Sequence, residues 1–305
     1  ARRYGELFKD VPRWKGTPKR REKIRVGYIS PDFRRNVLQH FVQPLLMRYD
    51  PMRFEVYVYS TTETPDEVTA ALRPSVTVWR DLGGTAPEEL AARIHADEID
   101  VLVDLAGHAA GGALPVLAYR PAPVQMMGLG YMATSGLRAV DYFLTDAACD
   151  PPEGGSEAYF TEELVRLPSQ FCYVPHAHLP ASEGTPARQR GWVLFGVFNQ
   201  YRKFTDEMIA LWREILVRVP TARLLIKAQI LFSTAMTKAV YMRLEEAGLD
   251  MQRVILEPAT TDYMQRYLDV DIALDTYPWP GGGTTCDALY MGVPVVSYYT
   301  DRHST

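Results

Sequence analysis

The feature of this sequence that most restricts its fold is a series of short, continuous apolar runs rich in β-branched residues. In the first half of the chain they are KIRVGYIS (23–30), RFEVYVYST (53–61), VTVWRD (76–81), IDVLVDLAG (99–107), VQMMGLGY (124–131) and DYFLTD (141–146). Such runs predict strands that are buried on both faces, as in a parallel sheet. Between several of them lie stretches with helical spacing of apolar residues, such as APEELAARIHADE (86–98). This alternation is typical of a doubly wound α/β fold.

The same alternation restarts after a polar stretch rich in proline and glycine at 175–191, which is typical of a linker. We predict an N-terminal extension at 1–22, a first Rossmann-like domain at 23–175, a linker at 176–191 and a second Rossmann-like domain at 192–305. In the second domain, residues 192–198 predict a strand, and residues 205–220 predict a helix with Thr205 as its N-cap. Ligands of open α/β sheets bind beyond the carboxyl ends of the strands, so we expect two domains facing a cleft.

Composition and charge exclude several classes of protein. The 305 residues carry a formal net charge of −4, which gives no reason to expect nucleic acid or a membrane surface as a partner. No apolar run approaches the roughly 20 residues of a membrane helix, and the first residues lack the apolar core of a signal peptide. Three cysteines, Cys149, Cys172 and Cys286, lie far apart without CxxC spacing. We therefore expect neither a disulfide framework nor a zinc site, and a cytoplasmic location.

A run of three glycines near the end of the chain, in DIALDTYPWPGGGTTCDALYMG (271–292), stands between a predicted strand and a predicted helix. Gly282 and Gly283 would open the helix, and Thr284 and Thr285 would lie in its first turn. Free N–H groups at a helix start attract anions, glycine permits close approach, and the hydroxyls add donors. The pattern is neither GxGxxG nor a Walker loop, so phosphate binding and a plain helix start both stay open. Asp287 could accept from a ribose hydroxyl.

Polar and cationic residues also follow the first strand of the second domain, in FGVFNQYRKFTDEMI (195–209). Gln200 and Lys203 would stand at the carboxyl end of this strand, where a lysine could hold a diphosphate leaving group as negative charge develops. Taken alone, Lys203 is more often an ordinary surface lysine. Because both loops close the same end of the same sheet, together they favour a phosphate site.

In the first domain, the stretch DLAGHAAGG (104–112) places His108 just after a buried strand. A histidine there could act as a general base or hold a sugar hydroxyl, and a structural role is an equal alternative. No group of residues has metal-ligand spacing, and the GxSxG nucleophile motif is absent. We therefore expect no metal and no other cofactor.

Several blocks of the sequence resemble the protein O-GlcNAc transferase family, glycosyltransferase family 41, including its SPINDLY-like members. They are RVGYISPDFRRN (25–36), VDLAGHAAGG (103–112), YRPAPVQMMGLGYMATSGLRAVDYFLTD (119–146), FNQYRK (198–203), LWREILVRVP (211–220) and DIALDTYPWPGGGTTCDALYMGVPVVS (271–297). They cover nearly the whole chain from about residue 23, in order. The resemblance implies a GT-B fold, with two Rossmann-like domains, and an inverting, metal-independent transfer of a sugar from a nucleotide diphosphate to a protein side chain.

The resemblance also implies roles for individual residues. Gln200 and Lys203 match residues that contact the diphosphate. Thr284 matches a threonine of the loop that wraps the phosphates, and Asp287 matches the aspartate that binds the ribose. The backbone of Pro258 and Ala259 would contact the base.

The sequence departs from the family pattern mainly on the acceptor side. Asn36 stands where many members have a histidine, Gly112 and Ala113 replace a polar pair, and Gly283 replaces a third threonine. The identity of the general base therefore stays open between His108 and other groups. Members of the family continue beyond the position of residue 305 with further helices, so we expect the second domain to be incomplete at this end.

These observations predict an enzyme that transfers GlcNAc or glucose from a UDP-sugar to Ser/Thr or Asn side chains of a protein or peptide. Lys203 would stabilise the leaving diphosphate, and His108 would position or deprotonate the acceptor. The main alternative is a nucleotide-sugar-binding subunit of a glycosylation complex with weak or no transfer activity. A weaker one is an enzyme with a small-molecule or glycan acceptor, or an epimerase of nucleotide sugars. We expect an acceptor and a nucleotide sugar as partners, together with another subunit of a complex or a second copy of the chain.

Overall fold

The computed structural model describes residues 2–14, 20–175, 179 and 184–299. The chain divides into two compact units, Ala1–Val174 and Pro175–Thr305. Each unit contains one parallel sheet with helices in its connections. The α/β class predicted from the apolar runs is therefore confirmed.

The sheet of the first unit has seven parallel strands in the order β3-β2-β1-β4-β5-β6-β7. They are β1 (Ile24–Ser30), β2 (Phe54–Ser60), β3 (Val78–Asp81), β4 (Val101–Asp104), β5 (Val124–Met127), β6 (Tyr142–Asp146) and β7 (Glu163–Leu167). The apolar runs did not predict β7, since an edge strand has one neighbour and only Leu164 of its residues is buried. The predicted strand at 99–107 ends earlier, at Asp104, because its carboxylate accepts from the backbone N–H groups of Ala106 and Gly107.

Helices between these strands complete the core of the first unit. They are α2 (Gln39–Met47), α3 (Glu67–Leu72), α4 (Pro87–Ala96) and α5 (Leu114–Ala118), while α1 (Arg2–Glu6) precedes β1. Asp66 caps α3 by accepting from the backbone N–H groups of its first turn, while the Thr69 hydroxyl accepts from the N–H of Asp66. Ile29, Leu102 and Phe143 are fully buried members of the same apolar cluster, which fixes the sheet against α4 and α5.

The first residues of the chain, predicted as an extension, pack against the first unit. Tyr4, Phe8 and Trp14 are partly buried against its apolar cluster. Arg21 donates to the carbonyl oxygen of Glu98 at 2.7 Å and forms an ion pair with the carboxylate of the same residue. The described part of this segment is therefore attached to the first sheet and its loops.

The second unit has a five-stranded parallel sheet in the order β10-β9-β8-β11-β12. The strands are β8 (Leu194–Val197), β9 (Arg223–Ala228), β10 (Val254–Pro258), β11 (Ile272–Leu274) and β12 (Val295–Val296). The helices are α6 (Ala187–Arg190), α7 (Asp206–Arg218), α8 (Thr234–Glu246), α9 (Tyr263–Arg266) and α10 (Gly283–Tyr290). The predicted N-cap of α7 is confirmed, because the Thr205 side chain accepts from the N–H of Met208.

The segment predicted as a linker, 176–191, is only partly described, since residues 176–178 and 180–183 lie outside the described residues. Its last part contains α6 and is held by a buried carboxylate. Asp271 accepts from the backbone N–H of Ala187 at 2.7 Å and from the Arg190 guanidinium at 2.6 Å. It also accepts from the N–H of Leu194 at 2.8 Å, so one side chain joins α6 to the start of β8. Across the described residues, no helix combines the length and apolar character that crossing a membrane requires.

Candidate functional site

Two loops meet at the carboxyl edge of the second sheet. One follows β8 and contains Asn199, Gln200 and Lys203, and the other joins β11 to α10. Because β8 and β11 are paired in parallel, their carboxyl ends are neighbours. The buried side chain of Asn199 connects the loops by accepting from the Thr284 hydroxyl at 3.1 Å and donating to Asp275 at 3.3 Å.

Asp275, which the sequence patterns did not single out, organises the second of these loops. One of its carboxylate oxygens accepts from the N–H of Gly281 at 2.7 Å and from that of Thr276 at 2.8 Å. The other accepts from the Ser297 hydroxyl at 2.8 Å, beyond β12. Only 9% of Asp275 is exposed, so hydrogen bonds from the loop take the place of water around its carboxylate. Its place as an acidic residue at the end of a predicted buried strand was the signal that could have identified Asp275 from the sequence.

The three glycines differ in how much space each position leaves for a side chain. A Cβ on Gly281 would lie 2.1 Å from the Thr284 hydroxyl oxygen and 3.0 Å from the Asn199 side-chain oxygen, so only glycine fits without rearrangement. Gly282 is the N-cap of α10 and would place a Cβ in open space. Gly283 is the first residue of the helix and is buried.

The first turn of α10 has no side-chain cap, because its N-cap is glycine. The first intrahelical bond runs from the N–H of Cys286 to the carbonyl of Gly282. The preceding N–H groups of the turn therefore have no acceptor within the helix. Together with the helix dipole, they form a position where an anion is favourable.

The two threonines of the first turn use their hydroxyls inside the protein. Thr285 donates to the carbonyl of Gly281, and Thr284 donates to Asn199. The sequence suggested these hydroxyls as donors to a ligand, whereas in the structure they fix the glycine loop. An incoming anion would therefore meet backbone N–H groups here.

Lys203 is tied to the same loop. Its ammonium donates to the carbonyl of Pro280 at 2.8 Å, which leaves two further N–H donors of the ammonium. Burial lowers the pKa of Lys203, the Asp275 carboxylate opposes this shift, and the Arg202 charge adds to it. Gln200 is exposed beside it, and its carbonyl accepts from the Lys203 N–H at 2.9 Å. The structure thus brings Gln200, Lys203 and the glycine loop to one edge of the sheet.

Asp287, the predicted ribose ligand, lies in the second turn of α10 and is only 3% exposed. Its carboxylate accepts from the Tyr263 hydroxyl at 2.7 Å. Burial, the charge of Asp287 and this hydrogen bond together raise the pKa of Tyr263, so the phenol stays protonated. Tyr263 begins α9, and sequence reasoning missed it because the two partners are far apart in the sequence.

Pro258 and Ala259 lie at the carboxyl end of β10, at the same edge of the sheet but two strands away from β8. The carbonyl of Pro258 accepts from the buried ammonium of Lys227 at 2.9 Å. The N–H of Ala259 donates to the carbonyl of Ala228 at 3.2 Å. Both predicted base contacts therefore already take part in bonds between β9 and β10.

In the first unit, His108 lies just beyond β4, with its ring partly buried. Its Nε2 lies 2.9 Å from the carbonyl oxygen of Ser135. Because a carbonyl only accepts, Nε2 carries a hydrogen, and in the neutral ring Nδ1 is then the atom that can take a proton. Asp104, at the root of this loop, is fully buried, and burial raises its pKa to about 6.

Within the part of the chain that the structure describes, no group of three or more His, Cys, Asp or Glu side chains could hold a metal ion.

Two parallel sheets with helices in their connections, the second with an uncapped glycine helix start and a lysine at its carboxyl edge, define a protein of the doubly wound α/β class. Residues 9–182 and 187–304 match the sequence model of glycosyl transferase family 41. The chain belongs to this family, as the sequence blocks predicted.

Two similar curated proteins come from plants. The probable UDP-N-acetylglucosamine–peptide N-acetylglucosaminyltransferase SPINDLY of Arabidopsis thaliana is 38% identical over 310 residues, which cover 99% of this chain and 34% of the plant protein. The protein of the same name from Solanum lycopersicum is 37% identical over 312 residues, covering 100% of this chain and 33% of the relative. The chain thus spans about a third of the length of the curated relatives it matches.

Solved structures agree with this assignment. A mutant O-GlcNAc transferase of Thermobaculum terrenum superposes with a TM-score of 0.90 and 34% identity, over 100% of this chain and 58% of that one. Anabaena HepE, solved with UDP and glucose, has a TM-score of 0.52 and 14% identity, over 90% of this chain and 80% of that one. The second likeness shows the fold alone, and together they confirm the predicted GT-B class.

Proposed function

We propose that this chain is a protein glycosyltransferase that takes its sugar from a UDP-sugar. The observation that carries the proposal is the convergence of the Lys203 ammonium and the uncapped start of α10 on one loop, joined by the 2.8 Å hydrogen bond to Pro280. A cation beside several free N–H groups matches the charge and the acceptor oxygens of a diphosphate. The names of the relatives support N-acetylglucosamine as the sugar and peptide hydroxyls as acceptors, over glucose and asparagine.

In the proposed reaction, the oxygen of a Ser or Thr side chain attacks the anomeric carbon of the sugar, and the bond from that carbon to the diphosphate oxygen breaks. The electron pair of this bond leaves with UDP, and the hydroxyl proton passes to Nδ1 of His108. A single displacement of this kind inverts the anomeric configuration. The Nε2–H···O=C bond to Ser135 supports this role, because it keeps Nδ1 as the basic atom.

Lys203 and the first turn of α10 would stabilise the negative charge that develops on the departing diphosphate. These donors are already fixed by Asp275, Asn199 and the glycine loop, so little reorganisation is needed when the charge appears. We propose that they replace a divalent cation and that the reaction is independent of metal. Unchanged transfer rates in excess EDTA are the expected result, and a rate restored only by added Mg²⁺ or Mn²⁺ would refute this part.

The decisive experiment compares Lys203→Ala with Arg202→Ala, which removes an exposed cation from the neighbouring position. Loss of one preorganised donor to a developing charge typically lowers kcat about 10²- to 10³-fold. We expect a loss of this size for Lys203→Ala in transfer of GlcNAc to a peptide library, with a smaller weakening of UDP binding by calorimetry. Arg202→Ala should keep kcat within about threefold, because it lies outside the proposed contacts.

Equal transfer rates for the two variants would remove Lys203 from the mechanism. If the wild-type chain binds UDP-sugars but transfers no sugar to any peptide, the alternative of a nucleotide-sugar-binding subunit becomes the better description. The environment of Asn36 supports this alternative. The side chain of Asn36, which replaces a histidine, donates to Asp32 at 3.0 Å and accepts from the Leu38 N–H at 2.7 Å, so it serves a turn.

A further inference from the structure

The N-terminal helix α1 lies against the loop that carries His108. The ring of Tyr4 meets the imidazole in an edge-to-face arrangement, with centroids 4.7 Å apart and an interplanar angle of 77°. Tyr131 also contacts the imidazole, at a centroid distance of 5.4 Å. The two rings hold the position of the imidazole, and the hydrogen bond to the Ser135 carbonyl sets its tautomer.

The contact between α1 and this site is a close backbone approach. A Cβ on Gly5 would lie 2.0 Å from the carbonyl oxygen of Gly136, so the helix backbone rests directly on the loop that follows Ser135. Phe8 packs on Tyr4 with ring centroids 5.1 Å apart. The placement of Tyr4 against His108 is therefore determined by packing on two sides.

The loop beneath α1 is itself held by a buried carboxylate. Glu162 accepts from the backbone N–H of Ser135 at 2.9 Å, from the Ser135 hydroxyl, and from the Thr134 hydroxyl at 2.6 Å. Only 6% of Glu162 is exposed. The carbonyl that orients His108 thus belongs to a rigid loop, and α1 packs on that loop.

The backbone that leads to His108 is equally restricted. Gly107 has a φ of +53°, and a Cβ there would lie 2.6 Å from the Cβ of Tyr131, so the chain turns where only glycine fits. Asp104 accepts from the N–H groups of Ala106 and Gly107 at the root of the turn. Of the two ring contacts of His108 among the described residues, that of Tyr131 comes from a loop of the sheet and that of Tyr4 from α1.

We propose that α1 is part of the site around His108 and that Tyr4 is a positioning residue, which holds the imidazole in the place where Nε2 donates to Ser135 and Nδ1 stays the basic atom. The catalytic consequence rests on the proposed glycosyl transfer, whereas the effect of Tyr4 on the imidazole does not. Burial and the neighbouring charge of Asp104 raise the pKa of Tyr4, so it acts as a neutral ring. A packing role alone would alter stability and leave the tautomer of His108 unchanged.

The experiment uses the full chain with ¹⁵N-labelled histidine, and a His108→Asn variant assigns the His108 signals. Tyr4→Phe keeps the ring, Tyr4→Leu keeps apolar volume but removes the aromatic edge, and Leu7→Ala is the control, because Leu7 is 75% exposed on the same segment. We expect a single Nε2–H tautomer in the wild type, in Tyr4→Phe and in Leu7→Ala. Tyr4→Leu should show a mixture of tautomers and a kcat lowered about tenfold or more, with UDP affinity within about twofold.

Gly5→Ala provides a second test, because it forces α1 away from the Gly136 carbonyl and leaves Tyr4 itself intact. It should produce the same change in the His108 signals, and it decides the question if Tyr4→Leu does not fold. Unchanged His108 signals in Tyr4→Leu and Gly5→Ala would overturn the proposal, as would a fall in kcat without any change at His108. If the wild type transfers no sugar, the proposed function fails, while the NMR comparison still decides the role of Tyr4.

Discussion

Replacing Gly281 by alanine tests whether the glycine loop is as tightly constructed as the structure indicates. The new Cβ would stand 2.1 Å from the Thr284 hydroxyl oxygen, 3.0 Å from the Asn199 oxygen and 3.2 Å from the Thr285 hydroxyl oxygen. The cheapest relief is rotation of the Thr284 side chain. This breaks its 3.1 Å hydrogen bond to Asn199 and still leaves the Cβ too close to the Asn199 oxygen.

The expected cost follows from these contacts. A lost hydrogen bond of this kind removes about 1 kcal/mol, and overpacking in a fixed environment adds about 1 kcal/mol or more. We therefore expect Gly281→Ala to lower the free energy of unfolding by about 2 kcal/mol. For a domain of this size that corresponds to a fall in Tm of about 8 °C. UDP affinity should also fall by about tenfold or more, because the first turn of α10 shifts with Thr284.

Gly282→Ala is the matched control for stability. A Cβ at this position meets no atom within 4 Å, and the backbone already has φ −85° and ψ −72°, which alanine adopts freely. The poorer N-cap and the reduced entropy of the unfolded chain should nearly cancel, so we expect a change within about 0.5 kcal/mol.

Thermal and urea unfolding of both variants, followed by far-UV circular dichroism, give the comparison, and calorimetry with UDP gives the affinity of Gly281→Ala. If the two variants unfold within about 0.5 kcal/mol of each other, the loop around Gly281 is loose and the reasoning is refuted. If Gly281→Ala is destabilised but binds UDP like the wild type, the loop is tightly packed and is not the diphosphate site.

Three further predictions concern buried carboxylates. Asp271→Ala leaves the Arg190 guanidinium and two backbone N–H groups without their acceptor, so urea unfolding should show a loss of about 3–5 kcal/mol, and a loss below 1 kcal/mol contradicts this. Tyr263→Phe removes one donor from buried Asp287 and should cost about 1.5–3 kcal/mol in the same assay, whereas an unchanged midpoint would mean that the bond contributes nothing. Burial raises the pKa of Asp104 from its ordinary value of 3.8 to about 6, so its ionisation opposes folding. The stability of Asp104→Asn relative to wild type should therefore rise by about 2 kcal/mol between pH 4 and pH 7, and a difference that does not change with pH refutes it.

The sequence allowed the fold to be predicted wherever one physical demand dominates a segment. Continuous apolar runs indicate strands covered on both faces, and β1 and β2 follow them closely. Thr205 before an amphipathic stretch predicts the start of α7, and the structure confirms it. The edge strand β7 was missed because, with a single neighbour, it needs little apolar surface.

The partners within the site could not be predicted, because they are set by tertiary contacts between distant residues. Asn199 and Asp275 are buried neighbours only because β8 and β11 are adjacent in the sheet. Tyr263 reaches Asp287 across the same edge. Sequence patterns indicate which residue types can bind an anion, whereas strand order decides which of them share a surface.

The threonines of the glycine loop show what this difference implies for ligand recognition. From the sequence, Thr284 and Thr285 are candidate donors to a phosphate, yet each hydroxyl has a single hydrogen, which is already donated within the protein. A hydroxyl whose hydrogen is already donated can only accept a hydrogen bond. An ionised phosphate oxygen also only accepts, so the two cannot bond to each other. The N–H groups at the start of α10 and the ammonium of Lys203 are then the donors that an anion meets at this loop. Backbone donors are fixed by the fold rather than by side-chain rotamers, so this loop can be preorganised for a diphosphate before any ligand arrives.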